Sequence, residues 1–422
     1  MNVIPPSSAS PSAPNLADFY VGDDPNPLIP PPEFTQWRRD YSWAGVLFEP
    51  RLLGVSETRV RLDFEGREIE AINLCSSNYL GLARHPEVIA AAQRTLAEFG
   101  VGACGSPILS GVTELQRALE SRINQFLGRE ATLIFNSGFG GALGSIAGVL
   151  RRADAAMLDE YSHFSLLDGA LLAGAKIERF KHNDADALDA ALTRHDGRRR
   201  LLVLEGLYSM DGDMADLPAL CAVAEKHGAG VLVDEAHSIL TIGANGRGVC
   251  EQLGVEARAG LYFGTFSKAF AAIGGFVSGS AETIDYLRFF AHTYGFSCTL
   301  PPATIAGLIA ALDIATRDDT LRRQLAENAT YFRTELQRMG LDTGGSTSHT
   351  IPILLGDNRA MLYLGAIEMR RRGLLLAAVD FPAVPERRLR FRASITAAHT
   401  RADLDEALGI IREVVARGLG TV

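Results

Sequence analysis

Cysteine, lysine and long apolar runs are all scarce in this chain of 422 residues. The five cysteines are odd in number and show no C-x-x-C spacing, so neither a disulfide framework nor a zinc site is expected. No apolar run approaches the roughly 18 residues of a membrane span, and the N-terminus lacks the basic start and apolar core of a signal peptide. These absences predict a cytoplasmic protein that holds no metal and has no transmembrane segment.

An excess of positive charge is missing as well. The formal net charge is −9, whereas nucleic-acid binding needs a basic footprint, so no nucleic-acid partner is expected. A hydrophobic content of 47% with 22% charged residues is typical of an ordinary globular protein. Because 422 residues exceed the size of a single hydrophobic core, we expect more than one domain.

The sequence divides into four segments. Residues 1–33 are rich in proline, serine and alanine and predict a flexible N-terminal arm. Residues 34–72 predict a helix and a short strand pair. Residues 73–302 alternate between strand and helix patterns and form the predicted large domain, whereas residues 303–422 contain longer helices with short strands between them and form the predicted small domain.

Alternation of strands and helices predicts the fold class. Such alternation is typical of an α/β protein with a mainly parallel sheet covered by helices, here followed by a smaller C-terminal α+β domain. One connection shows the pattern well: Asp216 is placed to cap a helix with Pro218 in its first turn, and that helix leads into the strand that ends at Asp234. The predicted strands of the large domain are 131–136, 155–158, 177–180, 201–205, 231–234 and 261–264.

Lys268 is one of only four lysines, and it follows the apolar strand 261–264. Asp234 and His237 follow the neighbouring strand pattern in the same way. Functional groups in parallel α/β sheets gather at the carboxyl ends of the strands, so these three side chains are expected to face one pocket. A lysine for a Schiff base, an acid for the pyridine nitrogen and a group against the ring are what pyridoxal 5'-phosphate (PLP) requires. A solvated lysine is the alternative for Lys268 taken alone.

A glycine-rich segment offers a phosphate site. Ser137, Gly138 and Phe139 follow a strand and open a helix, where free backbone amides favour an anion. A glycine-rich turn without a ligand is the alternative. The segment 100–105 matches the dinucleotide pattern G-x-G-x-x-G, but it follows a helix rather than a strand, so we reject it as a Rossmann fingerprint.

Other polar residues could complete the pocket. His163 follows a strand end, where a flat ring could stack on a cofactor, although a structural histidine is the simpler interpretation of this residue alone. Arg390 and Arg392 are two apart in an alternating strand, so both project from one face. One or both could clamp a carboxylate, and surface arginine is the alternative.

Several of these segments together resemble the α-oxoamine synthase family, PLP enzymes of fold type I that condense an amino acid with an acyl thioester and release carbon dioxide. The resemblance runs from about Asn73 to His399, and its motifs occur in the family's order. These motifs are Ser77–Leu82, Asn136–Phe139, Asp159–His163, Tyr208–Asp213, Asp234–His237, Gly243–Gly248, Gly264–Lys268 and Arg392 ahead of His399–Thr400.

The resemblance implies a role for each cofactor residue. Lys268 would hold PLP and act as acid and base, Asp234 would pair with the pyridine nitrogen, and His163 would stack on the ring. The phenolic oxygen would be contacted by His237 and Ser209. The phosphate would be bound or flanked by the residues Ser137, Gly138, Phe139, Thr265 and Ser267, with Ser297 reaching the phosphate of a partner subunit.

The resemblance also implies substrates and assembly. Asn78 and Arg392 would contact the substrate carboxylate, and the protein would be a homodimer. The segments 181–183 and 205–210 favour serine palmitoyltransferase over other members. The chain departs from the family pattern at Pro107 and Gln116, which flank the substrate channel in that family, and at Ala142.

The expected reaction joins a small α-amino acid (serine, glycine or alanine) to an acyl thioester of coenzyme A or a carrier protein, giving an α-amino ketone, carbon dioxide and free thiol. Two alternatives stay open. The same fold supports aminotransferases and decarboxylases, and a non-catalytic subunit could keep the fold without the cofactor. The presence of Lys268, Asp234 and His163 disfavours the second alternative.

Overall fold

A computed structural model describes residues 22, 24–40 and 42–416 of the chain. Most of the arm predicted for residues 1–33 therefore lies outside the described residues. Within the described ranges, no helix combines the length and the apolar character needed to cross a membrane.

The secondary structure alternates as the sequence predicts. The β-strands, in chain order, are β1 Arg51–Leu52, β2 Arg59–Phe64, β3 Arg67–Asn73, β4 Ala131–Phe135, β5 Ala155–Asp159, β6 Lys176–Phe180, β7 Arg200–Glu205, β8 Gly230–Asp234, β9 Leu261–Thr265, β10 Gly275–Gly279, β11 Thr350–Gly356, β12 Leu374–Leu375, β13 Ala377–Val379 and β14 Leu389–Ser394. The α-helices are α1 Pro32–Asp40, α2 Pro86–Phe99, α3 Glu114–Leu127, α4 Gly138–Val149, α5 Phe164–Ala173, α6 Ala185–Arg194, α7 Leu217–Lys226, α8 Val249–Gln252, α9 Ala281–Phe290, α10 His292–Gly295, α11 Pro302–Arg317, α12 Thr320–Arg338, α13 Arg359–Arg371 and α14 Arg401–Ala416.

The chain forms two compact units. The first contains the described residues up to Ser76, the short segment Met210–Gly212 and the described residues from Ala326 onward. The second contains Ser77–Ser209 and Asp213–Leu325. Helix α11 thus groups with the second unit, and the strands β1 to β3 group with the first. The domain limits drawn from the sequence remain a prediction.

A seven-stranded sheet in the order β4-β10-β9-β8-β7-β5-β6 organises the second unit. The strands from β9 to β6 pair in parallel, whereas β10 pairs antiparallel with both β9 and β4. The prediction of a mainly parallel sheet is therefore correct. Strand β10 was missed because its sequence, Gly-Phe-Val-Ser-Gly, is short and is flanked by glycine.

Hydrophobic side chains cover both faces of this sheet. Met157 and Leu204 project into one core, which helices α6 and α7 complete. Leu158 and Val203, the sequence neighbours of those two residues, project into the other core beneath α4, α5 and α9. Because neighbouring strand residues point to opposite faces, such strands read as continuous apolar runs. Helix cover on both faces leaves the ends of the strands as the places where polar groups can reach a ligand.

The predicted cap of α7 is confirmed. Asp216 Oδ1 accepts a hydrogen bond from the Ala219 backbone N–H at 3.3 Å, and Pro218 lies in the first turn. The helix ends at Lys226, and the chain then enters β8, which is parallel to β7 with Asp234 in register with Glu205. This connection places two carboxylates side by side at the carboxyl edge of the sheet.

The first unit contains two smaller sheets. One has the order β1-β2-β3-β12, and the other has the order β11-β14-β13. Val60, Leu62 and Phe64 alternate inward along β2 and pack with Ile367 of α13. Strand β14, which carries both candidate arginines, lies between two antiparallel partners.

Candidate active site

Lys268 lies in the turn that follows β9, and the Ala271 backbone N–H donates to the Lys268 carbonyl at 2.8 Å. The side chain is half-buried. Its charge acts on other site residues: it lowers the pKa of Asp234 and of His163. The structure therefore brings Lys268, Asp234 and the imidazole of His163 together at the carboxyl ends of the strands.

Asp234 ends β8 and is only 5% exposed. Its Oδ1 atom accepts the Ala236 backbone N–H at 2.8 Å. Burial raises the pKa of this carboxyl above its ordinary value, and the Lys268 charge and the Ala236 N–H oppose that rise. A buried carboxyl with a raised pKa gains most from a ligand that brings a positive group to it.

His237 is buried three residues beyond Asp234. The Tyr79 hydroxyl lies 2.7 Å from its Nδ1 atom, and Tyr79 is buried as well. This hydrogen bond fixes the orientation of the imidazole. Sequence reasoning did not assign Tyr79 to the site, although Tyr79 belongs to a motif that supported the family resemblance. Its neighbour Asn78 lies in the turn before Gly81, whose N–H donates to the Asn78 carbonyl at 2.9 Å.

His163 caps the N-terminus of α5. Its Nδ1 atom accepts the Ser165 backbone N–H at 3.2 Å and lies 2.8 Å from the Ser165 hydroxyl. Because Nδ1 is an acceptor, the neutral ring carries its proton on Nε2. Burial lowers the pKa of His163, and the Lys268 charge lowers it further. A neutral, oriented ring suits stacking on a flat cofactor.

Glu205 was not assigned to the site from the sequence. It ends β7, is 2% exposed and uses both carboxylate oxygens. One oxygen accepts the His163 N–H at 2.7 Å, and the other accepts the Ser209 N–H at 3.2 Å. Burial, with the nearby Asp234 charge, raises the pKa of Glu205 well above its ordinary value. Its place at a strand end, like that of Asp234, is the sequence signal that could have found it.

The predicted phosphate segment forms a cradle at the start of α4. Ser137 caps this helix, and its hydroxyl accepts the Gly140 N–H at 3.0 Å. A Cβ atom at Gly138 would lie 2.3 Å from Thr265 Oγ1, so only glycine fits there. Thr265 Oγ1 lies 2.9 Å from the hydroxyl of Ser267. The first amides of a helix have no partner within the helix and favour an anion.

Ser297 lies beside this cradle within the same chain. Its hydroxyl accepts a hydrogen bond from Asn136 Nδ2 at 2.5 Å, and Asn136 directly precedes Ser137. The predicted contact of Ser297 with a partner subunit's phosphate stays a prediction. Phe139, one residue into α4, is half exposed, and its ring centroid lies 6.5 Å from that of His163.

Arg390 and Arg392 differ sharply although both belong to β14. Arg390 is fully buried, and its Nη1 atom lies 2.9 Å both from Asp211 Oδ1 and from the Met210 carbonyl. Its guanidinium is thus used to hold the segment Met210–Gly212. Arg392 is less buried, and its Nη1 atom lies 3.6 Å from Met210 Sδ. Of the two arginines considered for a carboxylate clamp, Arg392 is the better candidate.

Gln116 and Pro107 depart from the family pattern. Gln116 is 1% exposed, and its Nε2 atom donates to Glu120 Oε1 at 3.3 Å. It is therefore buried, and its predicted place beside a substrate channel stays a prediction. Pro107 lies in a loop held by the Thr299 hydroxyl, which donates to the Gly111 carbonyl at 2.8 Å.

Comparison with known proteins places this chain in a family. The family model described as aminotransferase class I and II matches residues 69–411. The 8-amino-7-oxononanoate synthase of Geobacter sulfurreducens is 39% identical over 357 residues, which cover 84% of this chain and 90% of that protein. The solved serine palmitoyltransferase of Sphingomonas wittichii superposes with a TM-score of 0.87 at 33% identity, covering 92% of this chain and 97% of that chain.

The chain therefore belongs to the aminotransferase class I and II family, and within it to the PLP-dependent α-oxoamine synthases. The predicted resemblance, fold type and cofactor class are confirmed. A relative from Mycobacterium tuberculosis that is named as a second 8-amino-7-oxononanoate synthase is 38% identical over 363 residues, and this chain spans only 47% of its length. Both enzyme names occur among the relatives, so the preference for serine palmitoyltransferase stays a prediction.

The residues present fit PLP. The buried carboxyl of Asp234 suits the protonated pyridine nitrogen. The helix start at Ser137, beside the hydroxyls of Thr265 and Ser267, suits the phosphate. The half-buried Lys268 suits the Schiff base. Among the described residues, no group of three or more histidine, cysteine, aspartate or glutamate side chains is arranged to hold a metal ion.

The action of Lys268 on His163 can be measured. In the cofactor-free Lys268→Met protein, the pKa of His163 should rise towards its ordinary value of 6.5, because one cause of its depression is removed. Titration of the histidine ring protons by NMR reports this change. His399 is the control, because burial also lowers its pKa and Lys268 is not among the groups that act on it. An unchanged His163 titration would show that the lysine lies too far away to share its site.

Proposed function

We propose that the protein condenses a small α-amino acid (serine, glycine or alanine) with an acyl thioester. A bond forms between the amino-acid Cα and the thioester carbonyl carbon, and the carbon–sulfur bond breaks to release the thiol. The amino-acid carboxyl group leaves as carbon dioxide. The product is an α-amino ketone similar to 3-ketosphinganine.

The observation that carries this proposal is the grouping of Lys268, Asp234 and His163 at the carboxyl ends of strands β9, β8 and β5 in one sheet. The Lys268 charge acts on the other two groups and lowers the pKa of each. PLP, when bound, supplies an electron sink that makes deprotonation of an amino acid at Cα accessible. Lys268 Nζ is the group that holds the cofactor and accepts the Cα proton.

The buried acid and its neighbours set the electronics of the site. Asp234 keeps the pyridine nitrogen protonated, and that positive charge in turn stabilises the carboxylate form of a group whose pKa burial raises. His237, whose Nδ1 atom lies 2.7 Å from the Tyr79 hydroxyl, and Ser209 would contact the phenolic oxygen. His163 would cover one face of the pyridine ring and exclude water from it.

The phosphate is held at the start of α4. Ser137, Gly138 and Phe139 supply backbone amides, and Thr265 with Ser267 supplies hydroxyls that lie 2.9 Å apart. The close approach of Gly138 to Thr265 brings the strand end and the helix start within reach of one phosphate group. This anchor orients the ring relative to Lys268 and Asp234.

Asn78 and Arg392 bind the carboxylate of the amino acid in this proposal. A guanidinium can hold a carboxylate through two parallel hydrogen bonds, which fixes the orientation of Cα. Arg392 suits this role better than Arg390, because Arg390 is committed to Asp211 at 2.9 Å. The acyl group arrives as a thioester of coenzyme A or of a carrier protein.

The protein acts as a homodimer in this proposal. Apolar side chains near the site are unusually exposed: Phe139 is 50% exposed, Phe164 is 49% exposed and Phe296, next to Ser297, is 85% exposed. Large exposed apolar side chains of this kind are typical of an interface between subunits. Ser297 would then be close to the partner subunit as well as to its own cradle.

The reaction is tested with amino acids that carry a labelled carboxyl group. Serine, glycine and alanine are each incubated with the PLP-loaded protein, with and without a panel of coenzyme A and carrier-protein thioesters. We expect labelled carbon dioxide to require the thioester and to match free thiol one to one, because both leave in the same turnover. The product mass identifies the acyl chain.

Two results would contradict this reaction. Equal release of label without the thioester would make the protein a decarboxylase. Thiol release without loss of label would make it a different acyltransferase. Departures at Pro107 and Gln116 lead us to expect that palmitoyl-CoA is a poor donor, and strong activity with palmitoyl-CoA would contradict that expectation alone.

Replacement of Arg392 by alanine tests the carboxylate clamp. Arg392→Ala should raise the KM for the amino acid by an amount equivalent to roughly 2–5 kcal/mol, the range for loss of one partner of a buried charge pair. The PLP content should stay the same, because the first unit holds Arg392 and the cofactor residues lie in the second. Steady-state kinetics with varied amino acid and fixed thioester measure the effect.

Arg388 provides the matched control for this substitution. It lies two residues before Arg390, and its Nη2 atom is 3.0 Å from Asp211 Oδ1, with a side chain that is 40% exposed. Arg388→Ala should leave the KM for the amino acid near the wild-type value, since exposed ion pairs contribute little. Equal effects of the two substitutions would show that Arg392 acts through the fold and not through the substrate.

A further inference from the structure

His182 lies two residues after β6 and is held between two carboxylates. Its Nδ1 atom lies 2.9 Å from Asp159 Oδ1, and its Nε2 atom lies 2.8 Å from Asp213 Oδ2. A carboxylate only accepts hydrogen bonds, so both ring nitrogens carry a proton in this arrangement. The geometry therefore describes an imidazolium with a negative group on each side.

Two tyrosines pack against this imidazolium. The ring of Tyr161 is stacked on the imidazole, with the two ring centroids 4.5 Å apart. The Tyr208 ring packs edge-to-face with the imidazole, and those two centroids are also 4.5 Å apart. The His182 side chain is 17% exposed. The Glu160 carboxylate is a further titratable group at this residue and accepts the His182 backbone N–H at 3.1 Å.

The two carboxylates hold the loops that carry predicted cofactor contacts. Asp159 Oδ1 also accepts the Tyr161 backbone N–H at 2.9 Å, in the turn that leads to His163. The Asp213 carbonyl accepts the Tyr208 backbone N–H at 3.0 Å and closes the loop that contains Ser209. His182 thus links the turn after β5 to the loop after β7 through the side chains of Asp159 and Asp213.

A neighbouring amide strengthens this link. Asn183 donates its backbone N–H to Asp159 Oδ2 at 3.1 Å and its Nδ2 to the Met214 carbonyl at 3.1 Å. Its Oδ1 atom accepts the Asp216 backbone N–H at 3.0 Å. His182 and Asn183 therefore both bond to the turn after β5 and to the loop after β7. These several hydrogen bonds hold the turn and the loop in place more firmly than one ion pair would.

We propose that His182 is a positioning residue for the reaction: clamped between Asp159 and Asp213, it fixes His163 over the cofactor ring and Ser209 beside the phenolic oxygen. This inference rests on the proposed function, because it gives those two residues their roles. His182 itself touches neither cofactor nor substrate in the proposal. It acts through the turn and the loop.

The surroundings of His182 set the pH range over which its imidazole stays protonated. Burial lowers the pKa of this imidazole, but hydrogen bonds to Asp159 and Asp213 outweigh burial and raise it to about 10. A histidine with a raised pKa in the folded state contributes stability fully below its ordinary value of 6.5, and the contribution is lost as the pH rises through about 10. The clamp is therefore intact at neutral pH.

Replacement of His182 by glutamine tests the positioning role. In the PLP-loaded protein, His182→Gln should lower kcat roughly 10- to 100-fold, the scale expected when catalytic groups shift by about an ångström. The visible circular dichroism of the bound cofactor should change, while borohydride-trapped PLP stays at the wild-type amount. These two readouts separate displacement of site groups from loss of the cofactor.

His195→Gln is the matched control. His195 follows the C-terminal end of α6, and its side chain is also 17% exposed. Its Nε2 atom lies 3.3 Å from the carboxylate of Glu178. This variant should keep the wild-type kcat and cofactor spectrum even if its thermal stability falls. If the two variants lose the same thermal stability, any difference between their kcat values reports the displacement of site residues by His182→Gln.

A double variant shows whether the two partners act together. Asp213→Asn alone should lower kcat, because it removes one of the charges that hold the imidazolium. The combination His182→Gln with Asp213→Asn replaces the ion pair by two amides that can bond to each other, so its kcat should exceed that of either single variant. Such non-additivity is the signature of residues in direct contact.

Several results would overturn the inference. A wild-type kcat and cofactor spectrum in His182→Gln, even with lower thermal stability, would make His182 a structural residue only. Strictly additive effects in the double variant would contradict a shared clamp, and so would an equal loss of kcat in His195→Gln. A wild-type protein that binds no PLP would overturn the proposed function together with this inference, and that result is visible before any variant is made.

Discussion

The structure depends on a lysine placed among buried carboxyl groups. Glu205 and Asp234 are in register at the ends of two parallel strands, and burial raises the pKa of both. Lys268 is the positive group whose charge lowers both pKa values. Two buried acids side by side are costly without positive charge, and a cationic ring next to Asp234, as proposed, would offset that cost.

The sheet explains why these groups meet. Parallel strands bring all their carboxyl ends to one edge, and helices cover both faces, so polar side chains at strand ends are the ones that can reach a ligand. The remaining contacts orient those groups: Glu205 bonds to the backbone of His163 and Ser209, and Tyr79 lies 2.7 Å from His237. Chemistry and orientation are thus supplied by different residues.

The sequence predicted the parts of the fold that local patterns encode. Apolar runs identified β7, β8 and β9, and the Asp216 cap identified α7, because caps and strand runs are local signals. Strand β10 was missed, since five residues flanked by glycine give no periodic signal. Positions after strand ends and the family motifs together supplied the candidate site residues. The contacts of Tyr79 with His237 and of His182 with Asp159 and Asp213 join residues far apart in sequence, which a pattern along the chain does not show.

The central claim is that Lys268 holds the cofactor, and one measurement tests it most directly. The wild-type protein is loaded with PLP, reduced with borohydride and digested, and the modified peptide is sequenced by mass spectrometry. The account predicts a single phosphopyridoxyl group on Lys268, and none after Lys268→Ala substitution. Modification at Lys176, Lys181 or Lys226 in place of Lys268 would contradict the account.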